Sequence, residues 1–291
     1  MYEKWKGVHT RCAFNMIQEL IPLTRPRTLA AALGPTILGA AFSYYAFGAA
    51  QGTGLAIFHT VLIFLAVVTA QIVANLWNEY KDFKSGLDAG QKVGNAGSIT
   101  RGVITPELII TMIKVLMFVP IIIGLYLSAT ITWYYIPVGF LCILISFLYS
   151  GGPKPISRTP FGEISSGIAM GFTIVLITGY AWIRELSLAL LIPAIPSTLL
   201  VGSIMLTNNI RDIRNDESHG RHTLPIVLGR ERALSLMSIS YIFNFIWIIA
   251  WIIVGHMTWF ALLAFLAAPL AFKTIRTLST NTDEFQLDKA M

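Results

Sequence analysis

Eight long apolar stretches, at residues 29–47, 54–77, 108–128, 133–149, 161–183, 186–206, 234–254 and 259–272, constrain this chain more than any other feature. A helix rises ~1.5 Å per residue, so roughly 20 apolar residues cross the ~30 Å hydrocarbon layer of a bilayer. Inside that layer every backbone N–H and C=O has to be paired within the protein, which leaves only helices or closed barrels. Continuous runs of this length, without strict alternation, predict helices. The expected fold is therefore an all-α transmembrane bundle of eight spans. Residues 1–27 would form a basic segment before it, 28–278 one membrane domain, and 279–291 a short polar tail. Composition agrees, since 55% of the residues are hydrophobic and 12% charged, more apolar surface than one water-soluble core would bury.

Cytoplasmic loops collect Lys and Arg, so the placement of charge orients the bundle. Lys4, Lys6, Arg11, Arg25 and Arg27 precede the first span, and Lys81, Lys84, Lys92 and Arg101 lie between the second and third. Lys154 and Arg158 follow the fourth, Arg211, Arg214, Arg221, Arg230 and Arg232 the sixth, and Lys273, Arg276 and Lys289 the eighth. The opposite loops hold Arg184. The N-terminus and C-terminus are then both cytoplasmic, and the net charge of +6 reads as an orientation signal, with no nucleic-acid partner expected. Lys4, Lys6 and Arg11 interrupt the N-terminal region before any signal-peptide core develops, and residues 14–21 read as a short amphipathic helix on the membrane surface. Cys12 and Cys142 are far apart with no His or Cys at zinc-ligand spacing, so neither a disulfide framework nor a zinc site is expected.

Two polar runs interrupt this pattern at matching places. Asn75-Leu76-Trp77-Asn78-Glu79-Tyr80-Lys81-Asp82 through Asp88 leaves the second stretch, and Asn208-Asn209-Ile210-Arg211-Asp212 through Asp216 leaves the sixth. The chain thus divides into two halves of four spans, a duplicated unit around a central site. If the second helix continues past the membrane, Asn78 and Asp82 share a face, and Gly86 offers the break that turns Asp88 back toward them. Asn208, Asp212 and Asp216 stand at spacings of four and four, a stripe along one continuous helix. Carboxylate and amide oxygens on two facing helices suit a hard divalent ion, and Mg²⁺ takes one or two carboxylates together with waters and substrate phosphates. Nearby Lys84, Arg101, Arg211 and Arg221 supply cationic contacts to phosphate oxygens. One such run alone reads equally as a solvated helix end. Two at equivalent helix ends point to a site for a metal and a diphosphate.

The runs resemble the two signatures of the UbiA-type intramembrane aromatic prenyltransferases, here Asn78-x-x-x-Asp82-x-x-x-x-x-Asp88 and Asn209-x-x-Asp212-x-x-x-Asp216. Four further stretches resemble the menaquinone branch, the 1,4-dihydroxy-2-naphthoate polyprenyltransferases: Tyr149-Ser150-Gly151-Gly152-Pro153, Thr159-Pro160-Phe161-Gly162-Glu163, Gly220-Arg221-His222-Thr223-Leu224 and Leu228-Gly229-Arg230. Position 79 is Glu where the superfamily often has Asp, and family members usually carry a ninth span beyond the eight drawn here. The resemblance implies Mg²⁺-dependent transfer of a polyprenyl group from a polyprenyl diphosphate to 1,4-dihydroxy-2-naphthoate, with loss of CO₂ and diphosphate, giving a demethylmenaquinone. It places the reaction in the cell membrane, at a site facing the cytoplasm. Asp82, Asp88, Asp212 and Asp216 are the implied metal ligands, and Asp82, Asp212 and Tyr149 the catalytic groups. Asn78, Lys84, Arg101, Asn208, Asn209, Arg211, Arg221 and Glu163 are the implied substrate-binding residues.

Other readings stay open at this point. A prenyltransferase for another aromatic acceptor uses the same site, and a truncated, non-catalytic paralogue keeps the fold. A secondary transporter places its polar groups at the midplane of the membrane, where these spans are nearly free of charge. No P-loop is present, so nucleotide hydrolysis has no support.

Overall fold

The computed structural model describes residues 20–86, 97–282 and 287, and its regular structure is helical throughout. In chain order the helices are α1 (Ala30–Phe47), α2 (Thr53–Ser85), α3 (Pro106–Thr130), α4 (Tyr135–Ser150), α5 (Gly162–Ile183) and α6 (Leu191–Arg211). Two short helices follow, α7 (Ile213–Ser218) and α8 (Leu224–Leu228), and then α9 (Arg230–Ile253) and α10 (Trp259–Thr280). Among the described residues seven helices are long and apolar enough to cross a membrane. The expected fourth of eight spans is α4, apolar but only 16 residues long.

Local sequence explains where the key helices start and stop. Pro106 opens α3 at a position where a missing N–H costs nothing, and the Thr105 hydroxyl accepts the Leu108 N–H at 3.3 Å. The second helix runs past the expected end at residue 77 to Ser85, which keeps Asn78 and Asp82 on one helical face. Gly86 ends it in the left-handed region (φ 75°), its N–H reaching the Asp82 and Phe83 carbonyls, as the sequence led one to expect of this glycine. The second polar run departs from expectation. The continuous stripe breaks at Asp212 (φ −92°, ψ 8°), where α6 gives way to α7, although Asp212 N–H still donates to Asn208 O and Asp216 N–H to Asp212 O.

Lipid tails are as apolar as leucine, so helices in a bilayer associate through close packing and hydrogen bonds rather than by expelling water. A close crossing is made by Gly167-Ile168-Ala169-Met170-Gly171, part of a π-helical turn within α5 packed on α6. A Cβ at Gly167 would lie 2.6 Å from Thr198 O, and one at Gly171 2.6 Å from Ser197 O. Gly39 of α1 likewise rests on Val175 O of α5, at 2.8 Å from a built Cβ. Proline is tolerated in α6 for a related reason. Pro196 has no N–H for the Ile192 carbonyl four residues earlier, and the Trp247 indole N–H of α9 donates to that carbonyl at 2.8 Å. The Tyr135 hydroxyl donates to Ile177 O at 2.6 Å and the Trp182 indole to Thr60 Oγ1 at 2.8 Å, joining α4 to α5 and α5 to α2.

A larger side chain at the α5–α6 crossing must push two backbones apart. Gly171→Leu is expected to destabilise the bundle by roughly 1–3 kcal/mol or more, the usual cost of overpacking. Gly34→Ala, with nothing within 4 Å of its new Cβ, should leave the melting midpoint in detergent unchanged or slightly raised. Thermal unfolding of both variants, followed by size-exclusion recovery, checks the contrast.

Candidate active site

A cavity of about 970 Å³ runs between α2, α3, α4, α5 and α6, and the segment before α1 closes one flank. Ile63 and Asp82, both on its wall, are 19 residues apart on α2, which corresponds to about 28 Å along the helix. One end is therefore polar and the other apolar. Asn78, Asp82, Asn208, Asn209, Arg211, Asp212, Asp216 and Arg221 line the polar end, while Ile63, Val67, Met117, Leu127 and Tyr135 line the rest of its length.

The two acidic runs meet at Arg221. Its Nη2 lies 2.9 Å from Asp82 Oδ1 and its Nη1 3.3 Å from Asp216 Oδ1, so one guanidinium joins α2 to α7. Gly220, in the left-handed region at φ 68°, turns the chain after α7, and Arg221 N–H then donates back to Asp216 O at 3.0 Å. Asp212 pairs with its own neighbour instead, Arg211 Nε donating to Oδ1 at 2.7 Å and Nη2 to Oδ2 at 2.8 Å. Burial pushes Asp216 up to about 7; Arg221 pulls the other way, and the charges of Asp212 and Asp82 add to the rise.

The amides are held in place from behind. Ser150 Oγ donates to Asn78 Oδ1 at 2.6 Å, and Asn209 Nδ2 donates to Glu163 Oε1 at 2.8 Å. Glu163 is buried and does not line the cavity, so this expected substrate contact stands behind Asn209, and its Oε2 has no hydrogen-bond partner among the described residues. The Tyr149 hydroxyl points at Met205 Sδ, 3.2 Å away, and the ring forms part of the wall. Two expected contacts are not brought to the wall. Lys84 lies over the Tyr80 ring at 5.1 Å, and Arg101 donates to Ser98 Oγ at 3.2 Å. Asp88 falls outside the described residues.

Some wall residues escaped the reading of the sequence. Arg25 entered it only as one of several N-terminal charges, yet it lines the cavity together with Gln71. The available signal was a basic residue directly before a proline at the start of the first span. Glu79, the departure from the superfamily pattern, is buried and accepts the backbone N–H groups of Gly97 and Ser98 at 2.9 and 2.8 Å. It ties the chain entering α3 to α2 one turn before Asp82.

The profile of the UbiA prenyltransferase family matches residues 32–291. The chain belongs to this family. It is 36% identical, over 95% of its length and 87% of the relative's, to the 1,4-dihydroxy-2-naphthoate octaprenyltransferase of Bacillus subtilis. Two solved structures share the UbiA fold with it. One, the apo structure of a UbiA homolog from Aeropyrum pernix K1, superposes with a TM-score of 0.69 at 20% identity, covering 91% of this chain and 94% of that one. The other, a UbiA homolog from Archaeoglobus fulgidus bound to GPP and Mg²⁺, superposes with a TM-score of 0.60 at 18% identity, covering 91% and 86%.

The donors in this UbiA-family cavity fit a hard cation. Three carboxylates and several amide oxygens reach one end of it, the ligand type that Mg²⁺ takes. Burial is the main reason Asp216 rises, and the nearby charges of Asp212 and Asp82 work against Arg221 in the same direction. Among the described residues no three histidine, cysteine or acidic side chains stand close enough to chelate an ion by themselves, and Arg211 and Arg221 pair with the carboxylates of Asp212 and Asp82. Between the ordinary carboxylate range near ~4 and about 7, folded Asp216 holds a proton that the unfolded chain has released. Metal-free protein in EDTA should therefore lose stability as pH rises across that window and level off above it. In Asp216→Asn this part of the slope should vanish, which melting curves at a series of pH values will check.

Proposed function

We propose that this chain transfers a polyprenyl group from a polyprenyl diphosphate to 1,4-dihydroxy-2-naphthoate, releasing CO₂ and diphosphate and forming a demethylmenaquinone. The observation that carries this reading is a single cavity with both acidic runs at one end and an apolar wall along the rest, in a chain 36% identical to a naphthoate prenyltransferase. The polar end suits the diphosphate and the apolar length suits the isoprenoid tail.

Asp82, Asp212 and Asp216, with Asp88, are the residues that would hold Mg²⁺. Bound there, the ion would neutralise charge that develops on the departing diphosphate. Arg221 and Arg211 add fixed positive charge at the same end, and Asn78, Asn208 and Asn209 orient the oxygen-rich groups around them. The allylic C–O bond breaks, the diphosphate keeps its electron pair, and the prenyl group is left as a carbocation. Tyr149 presents its ring to the cavity, where an aromatic face stabilises passing positive charge while the tight wall excludes water. The ring carbon bearing the carboxylate attacks the cation. Loss of CO₂ then returns an electron pair to the ring, so that carbon has no proton to lose.

Several long apolar helices make this a multi-pass membrane protein. The bias of Lys and Arg supports the cell membrane with the polar end on the cytoplasmic side and the N-terminus inside. Residues 28–278 then form one prenyltransferase domain, between an N-terminal segment at 1–27, whose Ile21, Pro22, Arg25 and Pro26 line the cavity, and a short tail.

Membranes containing the protein, incubated with a polyprenyl diphosphate, Mg²⁺ and either 1,4-dihydroxy-2-naphthoate or 4-hydroxybenzoate, should yield a prenylated, decarboxylated naphthoate product by mass spectrometry. Asp82→Ala and Asp212→Ala should each lower the rate at least about a hundredfold, the scale of losing one charge-stabilising group. Full activity in either variant would remove the site proposed here, and product from 4-hydroxybenzoate alone would change the acceptor.

A further inference from the structure

Arg25 stands in a backbone conformation that a non-glycine residue rarely adopts. At φ 51° and ψ 64° it lies in the left-handed region, at the end of a helical turn where glycine is the usual residue. It also directly precedes Pro26, and the residue before a proline is pushed toward extended backbone. Side chains of α2 hold this conformation from both sides. Asn75 Nδ2 donates to Thr24 O at 3.0 Å, just before Arg25, and Gln71 Nε2 donates to Thr28 O at 2.7 Å, just after the proline turn. The Thr28 hydroxyl closes the turn by donating to Arg25 O at 2.8 Å.

What this strained turn delivers is a cation. Arg25 is half-buried on the cavity wall and makes no hydrogen bond or close ion pair among the described residues, while its charge acts at longer range on Asp82 and Glu79. Arg211 and Arg221, by contrast, are engaged with Asp212 and with Asp82 and Asp216. A planar guanidinium beside a substrate cavity, with no hydrogen-bonded partner among the described residues, is a fork for an oxyanion. Strain of this kind persists only where the surroundings over-determine it, and here two amides one turn apart on α2 do so.

We propose that Arg25 binds an oxyanion of the substrate, a carboxylate or a diphosphate, and that Gln71 and Asn75 are positioning residues that hold its backbone in the left-handed turn. The inference rests on the prenyl-transfer reading above and adds a substrate contact on the segment before α1. It separates stability from function. Glycine relieves the strain at this position, so a purely structural arginine and a substrate-binding one predict opposite results for its removal.

The test uses the full-length protein in membranes and in detergent. Arg25→Gly should melt at the wild-type temperature or above it, while KM for one substrate rises tenfold or more. Arg25→Lys should recover part of that loss. Gln71→Met, which removes one of the two amides, should raise KM for the same substrate by a smaller factor. A rise in KM for the naphthoate that disappears with 1,4-dihydroxynaphthalene, which lacks the carboxylate, identifies the carboxylate as the bound group. A rise in KM for the prenyl diphosphate identifies the diphosphate. Unchanged KM for both substrates in Arg25→Gly, or a marked fall in its melting temperature with KM unchanged, overturns the proposal. Wild-type protein that prenylates no aromatic acceptor overturns the earlier reading instead; in that case thermal stabilisation by inorganic pyrophosphate or by 1,4-dihydroxy-2-naphthoate, compared between wild type and Arg25→Gly, still decides the role of Arg25.

Discussion

The polar end of this protein depends on one guanidinium shared between two carboxylates. Arg221 reaches Asp82 on α2 and Asp216 on α7, and through that contact the two acidic runs, 139 residues apart by the Asp82–Arg221 pair, become one site. Without a cation between them the carboxylates would repel each other in surroundings that solvate charge poorly, a cost of several kcal/mol for an unpaired buried ion. Even with Arg221 in place, burial pushes Asp216 up to about 7, and the charges of Asp212 and Asp82 add to the rise. The same gathering of carboxylates suits a hard divalent cation. Site and stability are thus opposed, as is common where a protein gathers like charges for chemistry.

The bilayer imposes the second constraint. Because apolar side chains gain nothing by leaving lipid for each other, the bundle relies on close backbone approach and on satisfying every freed polar group. Gly167 and Gly171 let α5 lie directly on the α6 backbone, and Trp247 takes up the carbonyl that Pro196 leaves free. These contacts concern the site directly. The π-helical turn at the glycines lies just beyond Glu163, whose carboxylate holds Asn209 at the cavity, and α6 carries Asn208, Asn209 and Arg211 at its end. Packing at the middle of α5 and α6 therefore sets the position of groups at their polar end.

Much of the fold was legible because lipid solvent leaves a simple trace. Helix length and apolar continuity located seven helices long enough to cross a membrane and the shorter α4, and Gly86 marked the end of α2. The break at Asp212 was not legible, since a spacing of four and four is compatible with one helix or with two joined at a bend. For the site, Asn78, Asp82, Asn208, Asn209, Arg211, Asp212, Asp216, Arg221 and Tyr149 all reach the cavity wall. Lys84 and Arg101 were chosen by charge and proximity in sequence, which do not determine where a long side chain lies; one rests on Tyr80 and the other on Ser98. Glu163 was expected to contact substrate, and only the structure shows it buried, off the cavity wall and accepting a hydrogen bond from Asn209.

The sequence by itself determined that the chain spans a membrane as helices and that two acidic runs leave the second and sixth of them, because both follow from local composition and from the helical period. Only the tertiary structure decided which charges pair. Arg221 could have neutralised any nearby carboxylate, and Arg25 read as one more basic residue before a span. Their roles depend on how α2, α6 and α7 and the segment before α1 converge, and on two amides that hold a strained turn. Such distances of a few ångströms are set by packing between segments far apart in the chain, which no local pattern encodes.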